Sequence, residues 1–154
     1  MAVKTARLMS ELKEFARVGI DSSILIYHLE DAAPYSELTE AAFGVIATGR
    51  PEAVLSTISV AEVLVKPYVE RQLARVAAFE RFVMSLPNTS VIAPSMTVAK
   101  DAARLRARYG IRLPDALLVA TSRQAGAQAF LTNDAGLRRL RGEQLSVMVL
   151  DDYV

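Results

Sequence analysis

The chain has 154 residues, 18 basic and 17 acidic side chains, a net charge of +1, a single histidine and no cysteine. That length suits one domain with a substantial core, and the near-neutral charge gives no global case for nucleic-acid binding, which must then rest on local patches. The missing cysteine excludes thiolate catalysis, cysteine-containing zinc sites and disulfides, and it agrees with a reducing, cytoplasmic setting.

Although 52% of the residues are hydrophobic, charges interrupt every apolar run well short of the roughly 20 residues that span a bilayer, so the sequence reads as soluble. Residues 5–16 read as a short amphipathic helix with Leu8, Leu12 and Phe15 on one stripe and no signal-peptide core. Residues 1–17 then form a helical extension packed on a domain of 18–154. The first strand is expected at 18–21 (VGID), and residues 22–29 either form a helix or continue that strand. A helix over 35–47, a strand over 53–57, a helix over 59–66 with Ser59 as its N-cap, and a helix over 70–85 come next. A strand at 89–92 leads to a helix over 95–109, whose Val98, Ala102, Leu105 and Tyr109 make an inward stripe. Pro114 opens a helix over 114–125, and strands at 128–132 and 146–150 complete the chain.

Strands alternating with helices predict an α/β fold with a mainly parallel sheet, and such sheets place their sites at the carboxyl ends of strands. Four acids fall there. Asp21 ends the first strand, Glu62 lies in the first turn of the helix after the second, Asp115 opens a helix, and Asp134 follows the fourth strand. Each has a local reading: Asp21 as a cap, Glu62 as a solvated helix residue, Asp115 as a complement to the helix dipole, Asp134 as turn chemistry. Their joint placement carries more, because Val60, Ala61, Val63 and Leu64 surround Glu62, and Leu117, Leu118 and Val119 follow Asp115. Four crowded carboxylates repel unless a cation compensates. With oxygen ligands alone that cation is Mg²⁺ or Mn²⁺, whose chemistry suits phosphodiester hydrolysis.

Basic residues are locally concentrated. Lys100, Arg104 and Arg108 fall at i, i+4 and i+8, and Arg138, Arg139 and Arg141 form a second cluster; 14 of the 18 basic residues are Arg, which favours bidentate phosphate contacts. Taken alone, the first stripe reads as a solvated helix face. His28 sits in an apolar segment and reads as packed and hydrogen-bonded.

The order IDSS with Asp21, SVAE with Glu62, LPDALLVATS with Asp115 and LTND with Asp134 resembles the PIN-domain ribonucleases, particularly VapC-type toxins, over about residues 18–150. The resemblance implies a three-layer domain with a five-stranded sheet of order 3-2-1-4-5 and helices on both faces. It implies Asp21, Glu62 and Asp115 as the principal metal ligands or water-activating acids, Asp134 completing the set, and Ser22, Thr132 and Asn133 supporting them. One departure is NDAGL, where the family pattern commonly places a second acid and an aromatic residue after the last acid. The resulting expectation is a metal-dependent endoribonuclease whose Arg104, Arg108 and Arg112 hold the RNA backbone. The implied partners are an antitoxin covering the groove and a second copy of the chain. A PIN-like module that binds RNA or protein without cutting is the alternative. A phosphotransfer enzyme of the haloacid dehalogenase or receiver type fits less well, since Ser22 and Ser23 follow Asp21 where a second acid is needed.

Overall fold

Asp21 decides the ambiguity at the first strand. In the computed structural model, which describes residues 2–154, its side chain accepts from the Ser22 N–H at 2.8 Å. A carboxylate in that position satisfies an amide that a helix start leaves open. The chain therefore leaves β1 (Arg17–Ile20) and winds into α2 (Ser22–Leu29). Helix α1 (Ala2–Leu12) precedes them, starting and ending earlier than the apolar stripe suggested. After α2 come α3 (Ser36–Ala47), β2 (Glu52–Ser56), α4 (Thr57–Val69), α5 (Leu73–Ser85) and β3 (Thr89–Ile92). Then follow α6 (Met96–Tyr109), α7 (Leu113–Gln124), β4 (Ala129–Thr132) and β5 (Ser146–Val149). A 3-10 helix over Ala135–Glu143 joins β4 to β5, and another over Leu150–Tyr153 ends the chain. Neither was expected from the sequence.

Helix α4 corrects two expectations. Its N-cap is Ser56, which accepts from the Ile58 N–H at 3.1 Å, and not Ser59, which is fully buried one turn further on. It also runs through Pro67 to Val69, because a proline in the last turn forfeits only one hydrogen bond and the Glu70 N–H still reaches the Lys66 carbonyl at 2.9 Å.

The five strands are all parallel in the order β3-β2-β1-β4-β5. Val18 of β1 lies opposite Ala53 on one side and Ala129 on the other. Side chains alternate between two cores. Val18, Ile20, Leu131 and Met148 join Leu8 and Leu12 of α1, Ile24 and Leu25 of α2, and Leu38 and Ile46 of α3. Phe130, Val147 and Val149 join Val98 and Leu105 of α6, Leu118 and Val119 of α7, and Leu137 and Leu140 of the first 3-10 helix. Helix α1 is also tied to the far end of the chain, where the Tyr153 hydroxyl donates to Glu11 and the Lys4 ammonium to the Val154 carbonyl. Among the described residues no helix is long and apolar enough to cross a membrane.

The contact between α7 and β1 sets the position of Asp115 relative to Asp21, and Gly19 makes it possible. A Cβ at Gly19 would meet Ser122 Oγ at 2.1 Å, Ser122 Cβ at 2.5 Å and Phe130 Cδ2 at 2.7 Å. Backbone and helix approach this closely only without a side chain between them. Gly19→Ala is expected to cost about 3 kcal/mol by overpacking, read as a lowered midpoint in urea unfolding; an unchanged midpoint would show that α7 yields there.

Candidate active site

The carboxyl edge of the sheet opens into a cavity of about 250 Å³ lined by Asp21, Ser22, Ser23, Ile26, Tyr27, Glu62, Arg112, Asp115, Asn133 and Asp134. All four acids singled out from the sequence line it. They come from the end of β1, the second turn of α4, the first turn of α7 and the residue pair after β4. Glu62 thus sits one turn deeper in its helix than expected, since α4 starts two residues early.

Asp21 and Asp115 are the most enclosed of the four, each 6% exposed. Asp21 is held by uncharged donors: its Oδ2 accepts from Thr132 Oγ1 at 2.5 Å and Ser23 Oγ at 3.2 Å, while Oδ1 takes the Ser22 N–H. Burial is the main force pushing its pKa up from 3.8 to about 6; the charge of Asp115 adds to that rise, and the hydrogen bonds from Thr132, Ser22 and Ser23 oppose it. Thr132, fully buried at the end of β4, gives its one proton to Asp21 and accepts the Asp134 N–H at 3.0 Å. One hydroxyl thereby ties the acid after β1 to the backbone of the acid after β4.

The other three acids are held apart by local partners. Ser22 Oγ stands 2.8 Å from Glu62 Oε1 and 2.9 Å from Ser59 Oγ; a carboxylate only accepts, so the Ser22 proton goes to Glu62. Glu62 itself is half-buried and Ala61 beside it is exposed, so its apolar enclosure is thinner than the sequence suggested. Asp115 is buried and pairs with Arg112, Nε to Oδ2 at 3.1 Å. Asp134 is exposed and accepts the Gly136 N–H at 2.8 Å, capping the 3-10 helix. Among the described residues no three acids or histidines converge closely enough to hold a metal ion in this arrangement. The donor chemistry still suits a hard divalent cation: the acids offer only oxygens, and among the described residues the buried Asp21 carboxylate has no cationic partner of its own.

Asn133 supports the site from outside. Its Oδ1 accepts the Asp151 N–H at 2.9 Å, and its Nδ2 lies 3.3 Å from both Tyr27 OH and Asp151 Oδ1, so it fastens the last 3-10 helix to the cavity wall. Its own N–H meets Ser23 Oγ at 3.3 Å. Ser23 is a residue that sequence reasoning passed over, although it stood in the quoted IDSS.

The three arginines separate. Arg112 lines the cavity, whereas Arg104 and Arg108 do not. They turn to Glu143, a buried carboxylate at the end of the first 3-10 helix. Arg104 grips it bidentately at 3.1 and 2.9 Å, Tyr109 OH donates at 2.7 Å, and Arg108 and Arg123 each stand at 3.6 Å. Both arginines thus pair with a carboxylate while keeping side chains 45% and 67% exposed, and nothing was expected at Glu143. His28 is packed as anticipated, between Phe43 and Phe82, with Nδ1 3.2 Å from Thr39 Oγ1. Since Thr39 gives its proton to the Ser36 carbonyl at 2.9 Å, His28 Nδ1 carries the hydrogen.

Among solved structures the chain is similar to a toxin-antitoxin complex from Klebsiella pneumoniae, with 22% identity, TM-score 0.58, and 84% of this chain and 94% of that one covered. It is also similar to VapBC2 from Rickettsia felis bound to a DNA fragment from their promoter, with 14% identity, TM-score 0.70, and 86% and 98% covered. At such identities the likeness concerns the fold. No curated protein sequence matches the chain. The family model of the PIN domain matches residues 18–143, a span that contains β4, all but the first residue of β1, all four acids and Glu143, and the chain therefore belongs to the PIN domain family, a family of nucleases.

Proposed function

We propose that the chain is a divalent-metal-dependent endoribonuclease and the toxin of a type II toxin-antitoxin pair. The observation that carries this reading is the convergence of Asp21, Glu62, Asp115 and Asp134 on one cavity at the carboxyl edge of a PIN-domain sheet. Asp21, Glu62 and Asp115 would hold Mg²⁺ or Mn²⁺, with Asp134 completing the set. The ion supplies charge for the phosphoryl oxygens and acidifies a water. The chain's own hydroxyls do the orienting: Thr132 and Ser23 fix Asp21, and Ser22 fixes Glu62. Burial of Asp21 and Asp115 keeps these carboxylates out of bulk water, which strengthens their attraction for a cation.

The toxin reading is supported by what the two similar structures are called, a toxin-antitoxin complex and a VapBC2 assembly. It is also supported by exposed Val65, Tyr68 and Val69 on one face of α4, with Leu73 exposed at the start of α5, an apolar surface that an antitoxin would cover. A homodimer and a cytoplasmic setting belong to the same reading. The test is incubation of the purified protein with mixed RNAs and with single-stranded DNA, in Mg²⁺ and in EDTA. Internal cleavage of RNA that needs the ion and leaves DNA intact is expected. RNA binding with no ion-dependent cleavage would instead establish the module that binds without cutting.

A further inference from the structure

The acid cavity carries a cation of its own. Arg112 sits in the turn between α6 and α7, where Gly110 closes α6 in the left-handed region at φ 66°. Ile111 is buried beside it, and the Arg106 guanidinium holds the Ile111 carbonyl at 2.8 Å. The backbone that bears Arg112 is thus anchored. Its guanidinium reaches forward to Asp115, Nε to Oδ2 at 3.1 Å and Nη2 to Oδ1 at 3.4 Å. It lines the cavity together with Glu62 and Asp134, whose charges act on it as well. The two partners of the ion pair differ sharply: the Arg112 side chain is 74% exposed and that of Asp115 9%. The carboxylate is fixed in the wall and the guanidinium is free to leave. An ion pair with one partner so open to solvent is weak.

We propose that Arg112 is the resting counter-ion of the acid cavity, holding Asp115 until a divalent cation displaces it. The proposal rests on the nuclease reading above and adds a step to it. One guanidinium cannot neutralise four carboxylates, and a divalent ion brings twice its charge to the same oxygens. Once released, Arg112 keeps its own charge and remains at the mouth of an adjoining cavity of about 140 Å³, which it lines with Arg139, Asp115 and Asp134. Arg139 spends Nε on the Gly136 carbonyl and Nη1 on the Tyr109 carbonyl, which leaves Nη2 for a ligand. Two arginines there offer forked donors to a phosphate of the bound strand. Metal entry and phosphate capture are then one exchange of partners.

The test is calorimetric titration of Mn²⁺ into the protein without nucleic acid, for wild type, Arg112→Gln, Arg112→Lys and Asp115→Asn. Arg112→Gln is expected to bind about tenfold more tightly, or about 1.4 kcal/mol, Arg112→Lys to stay close to wild type because the charge is kept, and Asp115→Asn to lose the site. In parallel, the side-chain Nε–H resonance of Arg112, assigned by its loss in Arg112→Lys, is expected to shift as Mg²⁺ saturates the protein. Equal or weaker Mn²⁺ binding by Arg112→Gln, or an unmoved resonance at saturation, overturns the counter-ion role alone. A wild type that takes no cation in an Asp115-dependent way overturns both the role and the nuclease reading.

Discussion

Asp21→Asn is expected to lower RNA cleavage by about 10³-fold while making the metal-free protein more stable. The loss follows from removing a buried carboxylate that an ion would use, since a metal ion supplies several kcal/mol of transition-state stabilisation. The gain follows from the burial of the same group. Its pKa stands at about 6 in the folded chain against an ordinary 3.8, so the folded state takes up a proton that the unfolded state lacks between those values. Stability therefore falls as pH rises from about 4 to about 6, and the full cost of the buried charge persists above that range. Asparagine keeps the cap on α2 and carries no charge. In EDTA at pH 7.5 the variant should unfold at higher urea than wild type, by about 1–2 kcal/mol, and the two should converge near pH 4. A variant that is less stable at pH 7.5 would mean that the hydrogen bond from Thr132 outweighs the burial of the charge.

Glu143→Gln is expected to destabilise the fold by about 3 kcal/mol, at the lower end for a broken buried ion pair because two of its arginines reach solvent. The carboxylate gathers Arg104, Arg108 and Tyr109 of α6 and Arg123 of α7 around the end of a 3-10 helix. Hydrogen bonds from Arg104 and Tyr109 lower its pKa from 4.5 to about 2. For an acid so depressed the stabilisation is complete above the ordinary value and disappears as pH falls toward 2. Urea midpoints of wild type and variant should thus differ most near neutral pH and approach each other below about pH 3. A gap that stays constant with pH would assign the effect to packing rather than to charge.

The two carboxylates mark where sequence reasoning reaches and where it stops. Asp21 was legible because strand end, cap and acid coincide in four letters, and parallel strands gather their carboxyl ends by topology. Val98, Ala102 and Leu105 were legible because a helix stripe has a period, and all three are buried. Glu143 had no such signal. It belongs to a 3-10 helix without a regular apolar period, and its partners lie 39 and 34 residues earlier in the chain. Without that partner in view, the Arg104 stripe reads as a solvated face, and Arg112, which alone of the three RNA-backbone candidates lines the acid cavity, is not set apart from Arg104 and Arg108. The end of α4 was misjudged for a different reason: proline is a strong breaker inside a helix and a mild one in its last turn, and sequence alone does not say which applies.

The hydrogen bond from Thr132 to Asp21 joins residues 111 positions apart. It forms only when β4 slots beside β1, and such distant pairings are slow to close. Asp21 and Asp134 are therefore brought together only in a chain that has β4 in place. On the nuclease reading, a fragment ending before β4 leaves Asp21 without its Thr132 hydrogen bond and the cavity without Asp134, so the last half of the sheet finishes a site that the first half begins.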